Sequence, residues 1–222
     1  MVQPMKCKYL TLEDVYNMTK KLASKIKAAG FKPDTIVGLA RGGWIPARLM
    51  CDFLGVVDLI SLKVEHWIET GKTKDEAIIK YPVKLDHLAG KKVLLLDDIT
   101  DTGKSLMVSK RYVEQFNPAE VKTATMQFIV TSKFKPDFYA EEVREWTWFI
   151  YPWNYFEDTT TLVQRLMADK ELWTLEEIKE GLRKYFEIDV DLNWLREVMS
   201  VMEERKQVKK VVVEGVEKWA KA

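Results

Sequence analysis

The segment Val93 to Ser105 (Val-Leu-Leu-Leu-Asp-Asp-Ile-Thr-Asp-Thr-Gly-Lys-Ser) constrains this chain more than any other. Its apolar start, Val93 to Leu96, predicts a buried strand that carries Asp97 and Asp98 to its carboxyl end. In open α/β sheets ligands bind at that end. Thr100 to Gly103 then predicts a loop, and Lys104-Ser105 the first turn of a helix. The N–H groups and positive dipole end of such a turn suit a phosphate. Thr102 and Ser105 add hydroxyl donors, and Gly103 lets the backbone approach closely. Ionised carboxylates only accept hydrogen bonds, so Asp97 and Asp98 match the two hydroxyls of a ribose. Donors for an anion beside acceptors for a diol describe a ribose 5-phosphate site. The tail Thr-Gly-Lys-Ser also imitates a nucleotide-triphosphate loop, G-x-x-x-x-G-K-[ST]. That motif needs its first glycine at position 98, where Asp98 would repel phosphate. A plain capped helix explains one acidic residue at a helix start, but not Asp97, Asp98 and Asp101 around one turn.

The surrounding sequence alternates strand and helix. Leu12, Val15, Met18, Leu22 and Ile26 recur at helical spacing, with Thr11 and Asp14 as a start signal and Gly30 as a stop. Thr35 to Ala40 reads as a buried strand, Trp44 to Leu54 as a helix closed by Gly55, and Val56 to Val64 as a strand. Glu65 to Lys80 is charged, contains Gly71 and lacks periodicity, which predicts a mobile loop or irregular hairpin. Ser105 to Phe116 reads as a helix and Val121 to Thr131 as a strand. The alternation predicts an α/β fold with a doubly wound, mostly parallel sheet. From Asp158 the pattern turns helical, over Thr160 to Met167, Leu175 to Tyr185 and Leu192 to Glu204. Val208 to Val213 fits a short strand or a further helix. We therefore divide the chain into 1–157 and a small helical or winged-helix-like appendage at 158–222.

Composition excludes several classes of function. Of 222 residues 47% are hydrophobic, enough for a core, and the formal net charge is only +1. A balance of that kind argues against general attraction to nucleic acid or anionic membrane. Residues 171–222 contain 12 Asp or Glu against 10 Lys or Arg, whereas a phosphate-reading surface needs a basic excess. Packing or dimerisation is the better expectation for the appendage. No stretch approaches the roughly 18 to 20 apolar residues of a membrane span, and the first residues are too polar for a signal peptide. Cys7 and Cys51 lack metal-ligand spacing, which predicts reduced thiols and a cytoplasmic setting. His66 and His87 also lack partners at ligand spacing.

The Val93 to Ser105 run resembles the phosphoribosyl pyrophosphate (PRPP) motif of type I phosphoribosyltransferases, an acidic pair followed by a Thr-Gly loop. The similarity extends over about residues 10 to 155. Val37 to Leu54 (VGLARGGWIPARLMCDFL) supports it and looks like the family's pyrophosphate loop, Ala40, Arg41, Gly42 and Gly43. There Arg41 offers a fork of donors, the glycines permit close approach and positive φ, and the family often has a cis peptide, here Ala40–Arg41. The resemblance implies that Asp97 and Asp98 hold the ribose hydroxyls and that Asp101, Thr102, Gly103, Lys104 and Ser105 hold the 5-phosphate. It also implies Mg2+, carried by PRPP and water-bridged to Asp97 and Asp98 rather than ligated directly, and a homodimer. Lys72 and Lys74 are candidates to close over the pyrophosphate.

Asp101 is similar to the Asp that exchanges a proton with purine N7 in enzymes acting on hypoxanthine, guanine or xanthine. A second marker points elsewhere. Those enzymes carry a lysine at the end of the next strand, donating to O6, and the corresponding position here is Ile129. An apolar residue cannot donate, and an unpaired buried acceptor costs about 1 to 3 kcal/mol. The sequence-level expectation is therefore an adenine enzyme on a 6-oxopurine-type scaffold, like archaeal members of the branch, making AMP and pyrophosphate. If Lys133 supplies the donor instead, the base is an oxopurine. Trp148, in the aromatic run Trp146 to Trp153, matches the stacking residue of similar bacterial enzymes, with Trp146 and Trp153 read as core. Asn154 stands where the family often has a carboxylate. The other readings are a non-catalytic PRPP-sensing regulator and transfer to a pyrimidine.

Overall fold

A computed structural model describes residues 2–69 and 72–222, with side chains described outside 66–76. Along the chain run β1 (Cys7–Tyr9), α1 (Leu12–Ala28), β2 (Thr35–Ala40), α2 (Trp44–Leu54), β3 (Asp58–Glu69) and β4 (Lys72–Ile79). They are followed by β5 (Lys92–Thr100), α3 (Lys104–Glu114), β6 (Glu120–Ile129), β7 (Phe138–Val143) and β8 (Trp148–Ile150). The chain ends with α4 (Tyr155–Leu166), α5 (Leu175–Phe186), α6 (Leu192–Glu204), β9 (Val208–Val213) and β10 (Val216–Lys221). Two compact units result. One takes in Thr11–Ile68 and Lys72–Trp146, and the other is built chiefly from Met1–Leu10 and Thr147–Ala222. Residues 147–157, grouped with the first part of the chain on sequence, thus fall in the second unit.

The first unit is a six-stranded sheet in the order β4-β3-β2-β5-β6-β7. From β3 through β2, β5 and β6 to β7 the strands pair in parallel. Only two residues join β3 to β4, a connection too short for a parallel crossover. Of the two expectations for it, a mobile loop or an irregular hairpin, segment 65–80 matches the hairpin, its strands β3 and β4 being neighbours in the sheet. Its charged composition suits a sheet edge, where charge discourages further pairing. The central strands are buried on both faces, as covered parallel sheets require. On one face Val37, Leu39, Val93 and Leu95 join Leu106 and Val113 of α3 in a continuous core. Alternation turns the equally buried Ile36, Leu94 and Leu96 to the other face, where α1 and α2 lie against the sheet. Thr11 and Asp14 form a capping box at the start of α1, as their spacing predicts. Leu12 departs from the expected apolar face and is 63% exposed.

The second unit pairs β1 with β8 in parallel and packs α4, α5 and α6 around Leu162, Ile178, Leu182, Phe186, Leu195 and Met199. Trp173, between α4 and α5, exchanges backbone hydrogen bonds with Trp219 of β10 at 2.9 and 2.7 Å. The antiparallel β9–β10 hairpin turns at Glu214 and Gly215, both at positive φ, as a tight two-residue hairpin requires. Helix, single bridge, two helices and hairpin is the arrangement of a winged helix, with Val208 in the strand alternative of its reading. α6 exposes Asn193, Arg196, Glu197, Ser200, Glu203 and Glu204. Three acids against one base on that face oppose a phosphate backbone. Cys7 and Cys51 are buried free thiols, and burial pushes Cys7 up to about 12. Among the described residues no helix is long and apolar enough to cross a membrane.

Leu95 is fully buried at the middle of the first unit's core. We predict that Leu95→Ala lowers the unfolding free energy by about 2 to 5 kcal/mol, read from denaturant titration. A loss under about 1 kcal/mol, the range of well-tolerated swaps, would contradict the core assignment.

Candidate active site

Register brings the two sequence motifs together. Gly38 of β2 pairs with Leu96 of β5, so the chain leaves both strands at the same sheet edge. The Ala40–Arg41 peptide is cis, as the resemblance implies, and Arg41 is exposed. Gly42 and Gly43 correct one expectation, since neither adopts positive φ. What they provide is space. A Cβ on Gly43 would lie 2.5 Å from the Leu96 carbonyl oxygen and 2.7 Å from that of Leu39, and one on Gly42 would overlap the Asp98 carboxylate.

The acidic pair lies within β5 rather than beyond it, because pairing with β6 continues through Asp97–Thr125 and Ile99–Gln127 to Thr100–Phe128. Asp97 and Asp98 are half-buried. The Asp98 N–H donates to Asp97 Oδ1 at 3.0 Å, and the Ile99 N–H to Asp98 Oδ1 at 2.8 Å. Burial, and then the adjacent Asp98 charge, hold the Asp97 carboxyl well above the usual carboxylate range. Donation from a ligand's hydroxyls would favour the ionised pair.

Residues 101–105 form the turn into α3. Gly103 has φ +78° and no side chain caps the helix there, which leaves the dipole end to be met by an external anion. The Lys104 N–H lies 3.4 Å from Thr102 Oγ1. A Cβ at Gly103 would sit 2.9 Å from Ser132 Oγ and overlap Phe134, so the 132–134 turn closes directly on this loop. Lys133, between those two residues, is exposed.

Asp101 is half-buried, and burial raises its pKa, opposed by a side-chain hydrogen bond from Trp146. Sequence reasoning assigned Trp146 to core packing, yet it is 40% exposed. Its indole meets a residue far away in sequence, a pairing that no local pattern signals. Ile129, the last residue of β6, pairs with Val143 and is 2% exposed. Trp148 opens β8 opposite Cys7 in the second unit. Trp153 stacks on Tyr151 at 4.8 Å, and Asn154 immediately precedes α4 without capping it. His87 is exposed. The side chains of His66, Lys72 and Lys74 lie outside the described residues. Among the described residues no three His, Cys, Asp or Glu side chains group as metal ligands would.

Gly42 gives the site a sharp test. Gly42→Ala must displace the Asp98 carboxylate, so we predict at least about a tenfold weaker PRPP dissociation constant by calorimetry, the equivalent of about 1.4 kcal/mol. The thermal midpoint should change little. Unaltered PRPP affinity would contradict the close approach.

Comparison with known proteins agrees with this geometry. Residues 8–163 match the phosphoribosyl transferase domain. The chain is 27% identical over 153 residues to a xanthine-guanine phosphoribosyltransferase of Cereibacter sphaeroides, covering 66% of this chain and 86% of that one. It is 24% identical over 190 residues to the hypoxanthine-guanine phosphoribosyltransferase of Saccharomyces cerevisiae, with 66% and 85% covered. The crystal structure of a purine phosphoribosyltransferase from Pyrococcus horikoshii superposes with a TM-score of 0.57 at 33% identity, over 67% of this chain and 95% of that one. With its parallel sheet, acidic pair and glycine loops, the chain belongs to the type I phosphoribosyltransferases, in their purine branch.

Proposed function

We propose that this protein transfers 5-phosphoribose from PRPP to a 6-oxopurine, forming the nucleoside monophosphate and pyrophosphate. The observation that carries the reading is the seat of Gly42 against the Asp98 carboxylate. It joins a loop suited to pyrophosphate with one suited to ribose 5-phosphate, as a substrate containing both groups requires. In the reaction, purine N9 bonds to C1 of the ribose while the C1–oxygen bond to pyrophosphate breaks and the leaving group takes the electron pair. The N7 proton passes to Asp101, acting as general base. Arg41 and the 101–105 turn orient the phosphates, and Asp97 and Asp98 the ribose hydroxyls. Asp97 and Asp98 are the residues that would hold Mg2+, through water, and the ion would supply neutralisation of the leaving group's charge.

Two features support an oxopurine. Relatives bear xanthine, hypoxanthine and guanine in their names, and Lys133 lies in the turn that closes on Gly103, where a donor to O6 is available. Adenine is the second reading, favoured by the apolar Ile129. That side chain is buried at 2% exposure, so it offers little surface to a base.

Parallel assays with Mg-PRPP and guanine, hypoxanthine, xanthine or adenine decide between them. We predict an oxopurine preference of at least about tenfold in kcat/KM, reduced by Lys133→Met with PRPP affinity preserved. Faster use of adenine would overturn the oxopurine assignment. Asp101→Asn should lower kcat by about 100-fold or more, the usual range for a lost general base, while PRPP still binds. Because burial raises the Asp101 pKa and the carboxylate is the active form, activity should fall as pH drops through a limb above the ordinary Asp range. A flat profile down to pH 4 would contradict that role.

A further inference from the structure

The turn between β6 and β7 is held more firmly than a connection requires, and what it holds is Lys133; the inference rests on the role proposed above for that residue. Both strands and the turn belong to the sheet unit. The Ser132 N–H donates to the carbonyl of Ile129, the last residue of β6, at 2.9 Å. The Ser132 hydroxyl then meets Phe134 twice, donating to its carbonyl at 3.0 Å and accepting from its N–H at 3.3 Å. Those two bonds close a ring around the residue between them, Lys133. Phe134 packs against the core that contains Leu106 of α3. A serine hydroxyl bonded to nearby backbone is common in turns. This one is also wedged in place. A Cβ at Gly103 would lie 2.9 Å from Ser132 Oγ and 3.1 Å from Phe134 Cα, so the turn rests directly on the loop suited to the 5-phosphate.

We propose that Ser132 is a positioning residue for Lys133 and thereby a determinant of oxopurine preference: its hydroxyl fixes the backbone from which the Lys133 ammonium reaches O6. Lysine depends on such support. Its flexible stem carries a compact point charge without the fixed fork of an arginine, and Lys133 is exposed, so its backbone decides where the donors start from. The seat on Gly103 adds a ruler. Base and 5-phosphate are the two ends of one nucleotide, and Phe134 against Gly103 sets the spacing between Lys133 and the turn that receives the phosphate. An O6 carbonyl accepts from the ammonium, whereas the 6-amino group of adenine donates and gains nothing. Ser132 therefore acts on oxopurines and leaves adenine untouched. It does so through Lys133 rather than by touching the base, since its one hydroxyl proton already goes to the Phe134 carbonyl.

Nucleotide binding tests this without turnover. Calorimetry with guanosine monophosphate (GMP), AMP and Mg-PRPP compares wild-type protein, Ser132→Ala, Ser132→Thr and Lys133→Met. We expect wild-type protein to bind GMP at least about tenfold more tightly than AMP, and Ser132→Ala to lose about tenfold in GMP affinity with AMP and PRPP unchanged. Ser132→Thr keeps the hydroxyl and should bind all three as wild-type protein does. Combined with Lys133→Met, Ser132→Ala should add no further loss, because the two residues act as one unit. Amide hydrogen exchange at Phe134 should quicken by about tenfold in Ser132→Ala and return to the wild-type rate in Ser132→Thr, which reads the hydroxyl's hold on the turn. Equal loss for GMP, AMP and PRPP in Ser132→Ala would mean a merely structural role and would overturn the proposal. So would additive losses in the double variant, or unaltered exchange at Phe134. If Lys133→Met lowers the GMP preference and Ser132→Ala does not, the positioning role alone fails. If Lys133→Met leaves the preference unaltered, the O6 donor itself fails, and the positioning role with it.

Discussion

The parallel pairing of β2 with β5 is the constraint on which the site depends. With Gly38 opposite Leu96, the chain leaves the two strands at the same sheet edge. There the backbone of 42–43 lies so close to Leu96 and Asp98 that any side chain at either glycine would intrude. Evenly spaced parallel ladders put every strand's carboxyl end on one side. The acidic pair lies near the end of β5, and the 101–105 turn, the 132–134 turn and Trp146 follow strands of this sheet. A one-residue slip between β2 and β5 would misplace the two loops at the carboxyl edge and remove Asp98 from Gly42.

Much of this was legible in the sequence because it is local. Val93 to Ser105 carries its own strand, anion donors and diol acceptors, and Val37 to Leu54 its own strand, glycine pair and helix. The Thr11–Asp14 capping box is likewise written in four consecutive residues. The illegible parts are those fixed by distant partners. β7 reads Phe-Tyr-Ala-Glu-Glu-Val, without clean alternation, and is strand because it lies beside β6 at the sheet edge. β1 and β8 have three residues each and exist through pairing across some 140 positions. Trp146 reads as one more aromatic in an apolar run until Asp101 is beside it. Of the two reasons the sequence offers for Gly42 and Gly43, close backbone approach holds and positive φ does not.

The second unit follows a separate logic. Its core from Leu162 to Trp219 and the Trp173–Trp219 bridge make a winged-helix arrangement. The family match ends at residue 163, so α5, α6 and the hairpin lie beyond it. Charge on the unit is uneven: residues 205–221 contain six Lys or Arg against two Glu, whereas the outer face of α6 is acidic.

The most direct test of the account is phosphorus-31 NMR of Mg-PRPP mixed with the protein and guanine. The pyrophosphoryl resonances of PRPP should give way to free pyrophosphate as a nucleoside monophosphate resonance grows in one-to-one proportion. PRPP left intact with every purine, or pyrophosphate released without nucleotide, would contradict a phosphoribosyl transfer built on Asp97, Asp98 and Asp101.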